Sequence, residues 1–488
     1  MKNIRIKSIL FFFCLTALLL AMNVFNISMI KHKDLSTLAS NQRKSTQAVV
    51  SYRGCIYDKN MIALAKETLN SYADSFGNTI ISGSRYSNTS LCRHTVGYTF
   101  ADGSGAYGLE KLFDSELKSD ASLKVTHITD PFGKPLKKEP VAKENASYIP
   151  ERNLKTTLDY KIQKIAEEAA DKYLPRGAIV IINTQNFDVL AMVSRPNFDQ
   201  NNIKSSLKAE GSPLMNKALC SYNAGSIFKT ITAAAMLEGG YKSSDAFECT
   251  GVYNAEGKEF LCNSLSGHGV LDFKTGFAKS CNCFFYNGGT NIGGVAISQT
   301  AQKFGMGKKL LNCDIGESAG MVPERENYSK RECANLSIGQ GEILVTPLQA
   351  ANMMAIVASG GVAKKINLAD AIVDEKGAAV KNLRNEGSER VISKENAAFL
   401  ADMMREVVLE GTGQKVQNGI VAVAGKTGTA QTGWIENNEE MTHGWFCGFF
   451  PYDNPRYAMA VLSENGKNGS ESCIPAFREI VLKINELY

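Results

Sequence analysis

Ser226 and Lys229 stand three residues apart in Ser226-Ile227-Phe228-Lys229, at the head of a stretch to Glu238 that is apolar on nearly every face and is closed by Gly239-Gly240. Residues three apart on a helix share a face, so the hydroxyl and the amine meet. A helix apolar all round is a buried helix, and burial disfavours the charged ammonium. Lys229 is therefore expected to hold a lowered pKa and to act as a general base toward Ser226. The spacing alone is common: Ser28 with Lys31, Ser115 with Lys118 and Ser205 with Lys208 repeat it. Ser28 sits in an apolar N-terminal run and the other two in polar surroundings, so context selects Ser226.

A second serine signature competes. Gly316-Glu317-Ser318-Ala319-Gly320 matches GxSxG, a nucleophile elbow that works only at a strand-to-helix turn. Pro323 follows, Glu324 to Arg331 is charged without apolar periodicity, and the sole downstream histidine is His443. The alternating strand and helix order of an α/β-hydrolase is missing. Ser318 reads as part of a glycine-rich turn.

A serine with its base needs a proton route and a substrate clamp. Ser280-Cys281-Asn282, 54 residues after Ser226, supplies a hydroxyl for proton transfer and an amide to hold a carbonyl. Ser221-Tyr222-Asn223 and Ser463-Glu464-Asn465 match the same pattern, and only Ser280 follows an amphipathic stretch. Lys426-Thr427-Gly428-Thr429 lies 146 residues further on, directly after an expected strand at Val421 to Ala424. A lysine, two hydroxyls and a glycine on a strand edge can bind a carboxylate and let a substrate backbone approach closely. Lys274-Thr275-Gly276 repeats the triplet but precedes Ser280 and lacks the strand, so Lys274 is read as a solvated helix face.

The elements that must position these residues are legible in outline. Asp159 can cap a helix through Ile162, Ile165 and Ala169. Gly177 to Asn183 and Asp188 to Ser194 read as a hairpin, a helical middle follows, and strand signals return at Gly444 to Phe450 and Tyr457 to Ser463. An amphipathic helix from about Ala476 to Leu487 closes the chain. This is an α+β pattern: one antiparallel sheet assembled from both ends, flanked by helices, with a helical lobe inserted. Residues 31 to about 130 are polar with weak strand and helix signals. Pro131, Pro135, Pro140 and Pro150, mixed with Lys and Glu, then predict an extended connector. The expected parts are residues 1–30, 31–150 and 151–488.

Composition narrows the class. With 488 residues, 44% hydrophobic and 21% charged, the chain is not disordered, collagen-like or a polytopic membrane protein. Its 54 basic against 49 acidic side chains give a net charge of +5, and no basic cluster interleaves with aromatics, so nothing points to nucleic acid. From Ile9 to Met22 only Thr16 is polar, and the apolar run continues to Ile30. As a helix it spans about 33 Å, enough for one bilayer crossing. Lys2, Arg5 and Lys7 precede it, which by the positive-inside rule keeps the N-terminus cytoplasmic and exports the rest. No small-x-small cleavage site follows, which favours an uncleaved anchor over a signal peptide, and Phe11, Phe12 and Phe13 before Cys14 speak against a lipoprotein. Of twelve cysteines eleven lie beyond the anchor, an odd number. The absence of CxxC and HExxH speaks against a zinc site. Cys249 and Cys262 bracket a short polar loop and can form a disulfide or remain free thiols; both readings stay open.

SxxK on a buried helix, then SxN, then KTG at a strand, in that order, resembles the serine penicillin-recognising enzymes, and beyond the motifs the chain resembles a class B penicillin-binding protein. Arg53-Gly54-Cys55-Ile56-Tyr57-Asp58-Lys59-Asn60 with Leu64-Ala65 is similar to the family's RGxIxDRNGxxLA opening, and Gly103 to Lys111 to its glycine-leucine-glutamate segment. Leu158-Asp159 with Gln163, Leu190 to Pro196, His268-Gly269, Ser337 to Glu342 and Thr346-Pro347-Leu348-Gln349 resemble later stretches, so the similarity covers roughly residues 50 to 488. Three departures stand out. The region before the transpeptidase domain is short, implying a reduced N-terminal pedestal. Nothing resembles a class A glycosyltransferase domain or an appended C-terminal module. Ala224 stands where many members have proline.

The resemblance implies a penicillin-binding transpeptidase fold and a peptidoglycan D,D-transpeptidase that also binds β-lactams covalently. Ser226 would attack the D-Ala-D-Ala carbonyl of a stem peptide, Lys229 would be the base, Ser280 the proton shuttle and Asn282 a clamp on the substrate amide. Lys426, Thr427 and Thr429 would bind the terminal carboxylate around Gly428, and the amides of Ser226 and Thr429 would form the oxyanion hole. No metal or organic cofactor is implied; a membrane glycosyltransferase is the implied partner. A β-lactamase-like hydrolase would not need an anchor and a separate N-terminal domain, and class D lactamases carry SxV. A β-lactam sensor would need several spans and a zinc-protease motif. A catalytically idle cell-wall scaffold that keeps the motifs remains an alternative.

Overall fold

The computed structural model describes residues 2–73, 79–87, 90–130, 132, 134–136, 140–145, 148–436 and 439–487. The chain divides into two compact units: Met1–Tyr52, Glu67–Arg85 and Ser119–Ile149 form the smaller, and Arg53–Lys66, Tyr86–Lys118 and Pro150–Tyr488 the larger.

In the smaller unit Asn3–Ile30 is one helical run of 28 residues with mean hydropathy 2.3 and none of that surface buried, long and apolar enough to cross a membrane. The helix His32–Gln42 and a three-stranded sheet of Lys44–Arg53, Lys118–Ile128 and Ala142–Glu144 follow. Val50, Tyr52, Leu123 and Val125 are its small core. The proline-rich stretch is not the plain connector the sequence suggests. Pro135 bridges back to Thr129, and Ala142 pairs with Thr126, so this segment adds an edge to the small sheet. Pro131 lies outside the described residues.

The larger unit takes in two segments that a boundary drawn along the sequence assigns elsewhere. A buried ion-pair cluster ties the two segments to each other: Arg53 donates to Glu110 at 2.6 Å and to Asp114 at 2.6 Å, while Tyr86 donates to Glu110 at 3.0 Å. Breaking such a pair would leave an uncompensated buried charge, so the two segments stay together. They are joined to the rest of the larger unit where Asp58 accepts the Tyr160 N–H at 3.0 Å and Glu167 accepts the Cys92 N–H at 2.7 Å. Ile56 then pairs with Leu154 in a second, five-stranded sheet. The two family-like segments around Arg53 and Glu110 thus meet in space.

The main sheet is antiparallel throughout. Its strands are β1 (Gly177–Asn183), β2 (Val189–Arg195), β3 (Ala424–Glu436), β4 (Glu439–Phe450) and β5 (Tyr457–Ser463), in the order β2-β1-β5-β4-β3. As expected, strands from both ends of the domain build one sheet. Alternate side chains serve two cores: Ile179 and Ile181 face the helices Tyr160–Tyr173 and Ile474–Asn485, while Val180 and Ile182 join the core of the helical lobe. A strand buried on both faces reads as a continuous apolar run, which is why β1 shows no polar alternation. Asp159 caps the first of those helices, accepting the N–H groups of Lys161 and Ile162. The lobe helix Pro347–Ala358 crosses the other face, and its start explains Thr346-Pro347-Leu348-Gln349. Thr346 and Gln349 satisfy each other's backbone N–H groups in a capping box with proline just inside.

One expected boundary moves. The third strand begins at Ala424 and runs to Glu436, so Lys426-Thr427-Gly428 lies inside it. Val421 precedes it in a turn, with its N–H bound by the Asn418 side chain at 2.8 Å.

Candidate active site

Ser226 sits in a tight 3-10 turn, Gly225–Phe228, that leads into the helix Lys229–Glu238; the sequence suggested helix throughout. Gly225 has φ +55, and a Cβ there would lie 2.5 Å from the Thr429 carbonyl oxygen. Only glycine permits this conformation together with that approach, which sets the Ser226 turn directly against β3.

The Ser226–Lys229 helix delivers the lysine into a dry interior. Lys229 Nζ donates to Asn282 Oδ1 at 2.6 Å, to the Ser280 carbonyl at 2.7 Å and to Ser280 Oγ at 3.1 Å. Ser280 occupies the junction between the helices Phe273–Ala278 and Asn282–Ile292 with φ +55, a left-handed conformation that costs a non-glycine residue about 1–2 kcal/mol. That bend aims both its carbonyl and its hydroxyl at Lys229. From the other side Lys426 Nζ reaches Ser280 Oγ at 2.9 Å and the Thr427 carbonyl at 3.0 Å. One hydroxyl therefore stands between two fully buried amines.

Burial pushes the Lys229 amine down to about 7, against an opposing pull from Cys281, Cys262 and Cys283. Burial first, and then the nearby Lys229 charge, lowers Lys426 well below the usual lysine range. Two ammonium groups sharing one hydroxyl repel, so one amine is readily neutral near pH 7 and can accept a proton. The sign follows: a base works only when unprotonated. Below the Lys229 pKa the second-order acylation rate constant should fall about tenfold per pH unit, and it should level off above that pKa. A penicillin acylation profile from pH 5.5 to 8.5 checks this; a rate that rises toward acid would contradict it.

A cleft of about 750 Å³ opens above, lined by Ser226, Ser280, Asn282, Thr427, Gly428 and Thr429, with Tyr286, Gln340, Thr412 and Asn468 on its walls. Lys229 and Lys426 lie beneath it. The Lys426 amine faces Ser280 under the floor, while Thr427 and Thr429 line the cleft itself. Gly428 has no room for a side chain, since a Cβ would meet Ile227 Cγ2 at 2.8 Å and Trp445 Cβ at 3.1 Å. Lys274 lies on a partly exposed face of the helix Phe273–Ala278, where it pairs with Asp402 at 3.1 Å and Glu406 at 3.3 Å.

Ser318 stays outside. Its hydroxyl is 2.5 Å from Ser221 Oγ, no helix follows it, and the neighbouring Glu317 carboxylate accepts the N–H groups of Leu310 and Leu311. Sequence reasoning missed Thr412, whose hydroxyl bonds that of Thr427, and Asn468 with Ser470 on the cleft wall. No local motif marks them; Thr412 comes from a turn, and Asn468 with Ser470 from the start of the short helix Gly469–Ser472, which only the folded sheet brings close.

Near Ser280 the cysteines cluster. Cys249 and Cys262 are free thiols with their sulfurs 3.7 Å apart, so the disulfide reading is not realised here. His268 and Cys281 join them, and the four donor atoms lie within 4.8 Å of one another.

Residues 177–482 match the penicillin binding protein transpeptidase domain. Stage V sporulation protein D of Bacillus subtilis is 31% identical over 396 residues, 78% of this chain and 59% of that protein. The peptidoglycan D,D-transpeptidase MrdA of Acinetobacter baumannii is 31% identical over 352 residues, 66% of this chain and 52% of that protein. The matched region therefore spans a little over half the length of these relatives. Penicillin-binding protein 3 of Mycobacterium tuberculosis, solved in complex with aztreonam, has TM-score 0.72 at 25% identity, covering 91% of this chain and 97% of that one. With the ordered motifs gathered at one cleft and the domain matched across most of the larger unit, the chain belongs to the penicillin-binding protein transpeptidase family.

Proposed function

We propose that the protein is a peptidoglycan D,D-transpeptidase that cross-links stem peptides through an acyl-enzyme on Ser226. The observation that carries this reading is Ser280 Oγ held between Lys229 and Lys426 on the floor of the cleft that contains Ser226.

Neutral Lys229 takes the proton of Ser226 Oγ as that oxygen attacks the penultimate D-Ala carbonyl. The Ser226 and Thr429 amides hold the resulting oxyanion, and each such donor is typically worth about 3 kcal/mol. Ser280 relays a proton to the departing nitrogen, the C–N bond breaks, and terminal D-Ala leaves. An amine of a second stem then attacks the ester and regenerates Ser226. Asn282 clamps the substrate amide, while Thr427 and Thr429 take the terminal carboxylate. A β-lactam enters by the same attack, but its leaving nitrogen stays tethered in the opened ring, so the ester persists.

The helix Asn3–Ile30 is the proposed single-pass anchor, with Lys2, Arg5 and Lys7 keeping the N-terminus cytoplasmic and the catalytic unit outside. A membrane glycosyltransferase that supplies nascent glycan strands is the proposed partner. Intact-mass spectrometry of the purified full chain with penicillin, followed over time, tests the reading. A single adduct that persists for many minutes is expected. Rapid loss of the adduct would indicate a β-lactamase, and no adduct would indicate an idle scaffold.

A further inference from the structure

We propose that a basic cleft on the helical lobe, separate from the catalytic one, binds a polyol or sugar phosphate. The cleft holds about 600 Å³, a volume in the range of small-molecule sites, and it shares no lining residue with the cleft of Ser226. Lys303, Lys308, Lys309, Lys364 and Lys365 line it, against a single carboxylate, Glu389. The whole chain carries a net charge of only +5, so this is a local concentration of charge.

The backbone builds the cleft from distant segments. The end of the helix Gly294–Lys303 and the turn after it form one wall, and Val362–Lys364 paired with Ser388–Arg390 forms the other. A bridge between Leu311 and Ile366 joins the two walls. The helix Pro347–Ala358 contributes Asn352. Gly305 adopts φ +85, and a Cβ there would lie 2.8 Å from Leu310 Cδ2 and 3.3 Å from Asn352 Nδ2. A side chain at this point would crowd Asn352, so the glycine keeps the cleft open beside that amide.

Two observations set the chemistry of the ligand, and the first is the state of the amines. Lys309 pairs with Asp314 at 2.6 Å, Lys364 donates to the Gln185 carbonyl, and Lys303 has Glu238 as an electrostatic neighbour. Lys308 and Lys365 have no ion-pair partner among the described residues. Like charges gathered on one concave surface focus a positive potential that an anion relieves. Planar recognition of a carboxylate uses the arginine fork, and among the described residues no arginine lines this cleft. A phosphate ester, with its high charge and three acceptor oxygens, suits several compact ammonium groups at once. The second observation is Asn352, which is 4% exposed. Its Nδ2 donates to the Phe304 carbonyl at 2.9 Å, while its Oδ1 is buried without a hydrogen-bond partner among the described residues. A buried acceptor left unpaired is disfavoured, and native structures rarely keep one. A phosphate group offers mainly acceptors, so it leaves Oδ1 unsatisfied; a hydroxyl on the same ligand donates to it. Amines together with an unfilled buried acceptor therefore select an organic phosphate that carries hydroxyls.

The test is isothermal titration calorimetry on the full chain in detergent with sn-glycerol 3-phosphate, inorganic phosphate, glycerol and a short poly(glycerol phosphate). Glycerol phosphate should bind saturably, about tenfold more tightly than inorganic phosphate, and glycerol alone should not bind. Rising salt should weaken the binding. Lys308→Gln with Lys365→Gln should weaken it by about tenfold or more. Lys204→Gln with Lys376→Gln, two exposed lysines outside the cleft, should change it by less than about twofold. Asn352→Ala should bring glycerol phosphate down to the affinity of inorganic phosphate and leave the latter within about twofold. Circular dichroism confirms folding, and the exposed lysine pair keeps the test decisive if Asn352→Ala does not fold. Tighter binding of the polymer than of the monomer identifies a chain segment as the ligand, and equal affinity identifies the free small molecule. No saturable binding of glycerol phosphate, or equal losses in the two lysine pairs, would overturn the site. Inorganic phosphate binding as tightly as glycerol phosphate would overturn the hydroxyl contact. These titrations do not involve Ser226, so the site and the transpeptidase reading stand or fall separately.

Discussion

Ser226→Ala abolishes covalent labelling by penicillin, while Ser318→Ala leaves it intact: this is the largest effect expected of any single substitution in the chain. Ser226 lines the cleft, and one turn further on Lys229 reaches Ser280 and Asn282. Without its Oγ there is no atom to form the ester, so the adduct should fall below detection in intact-mass spectra. Ser318 matches the GxSxG pattern, but its hydroxyl bonds Ser221 in an irregular loop that no helix follows, so it lacks both a base and the N-terminal amides an elbow requires. Labelling that survives in Ser226→Ala, or that disappears only in Ser318→Ala, would reverse the assignment.

The second large effect separates two lysines that head the same triplet. Lys426→Ala removes a buried amine that bonds Ser280 Oγ at 2.9 Å. Loss of a charge-assisted contact of this kind is typically worth about 1.5–3 kcal/mol, or roughly ten- to over a hundred-fold in acylation rate. The Lys426 amine reaches Ser280 from beneath the cleft, so the variant should lose acylation rate with every β-lactam, including those whose carboxylate is poorly placed. Lys274→Ala breaks two partly exposed ion pairs, to Asp402 and Glu406, each worth about 0–1 kcal/mol of stability. Its acylation rate should stay within about twofold of the parent, since no cleft contact changes. Second-order acylation constants for both variants, with circular dichroism to confirm folding, decide the matter. A large loss in Lys274→Ala with little change in Lys426→Ala would contradict the placement of the triplet on β3.

The scaffold explains why such a site can be dry and yet open. The Ser226 turn is pressed against β3 through Gly225, and β3 receives the Ile227 side chain of that turn over Gly428, so both contacts depend on a glycine. Ser226 and Thr429 can then present backbone amides to the same point. Lys229 and Lys426 approach from below, where the aromatic rings of Phe285 and Phe277 lie 5.6 and 5.8 Å from their amines. Apolar walls lower the proton affinity of both amines, while the hydroxyls and amides above keep the cleft polar enough for a peptide.

Much of this was legible in the sequence, for local reasons. Apolar residues on nearly every face mark the Lys229–Glu238 helix as buried, and alternation or continuous apolar runs mark β1, β2, β4 and β5. The Asp159 cap and the apolar length of Asn3–Ile30 are properties of short segments. The order SxxK, SxN, KTG could be read because each triplet sits in an element whose type its neighbours reveal. Tertiary structure decided the rest, because those outcomes depend on groups far apart in the chain. Arg53 and Glu110 draw their two segments together because a buried charge must find its partner, whatever the order along the sequence. Lys426 went below the cleft because the register of β3 turns its side chain toward Ser280, 146 residues earlier. Four donors with no CxxC between them meet because two hairpins and a helix junction close on one point. Residue type and spacing determined which chemistry the chain can perform, and long-range packing determined which atoms face one another to perform it.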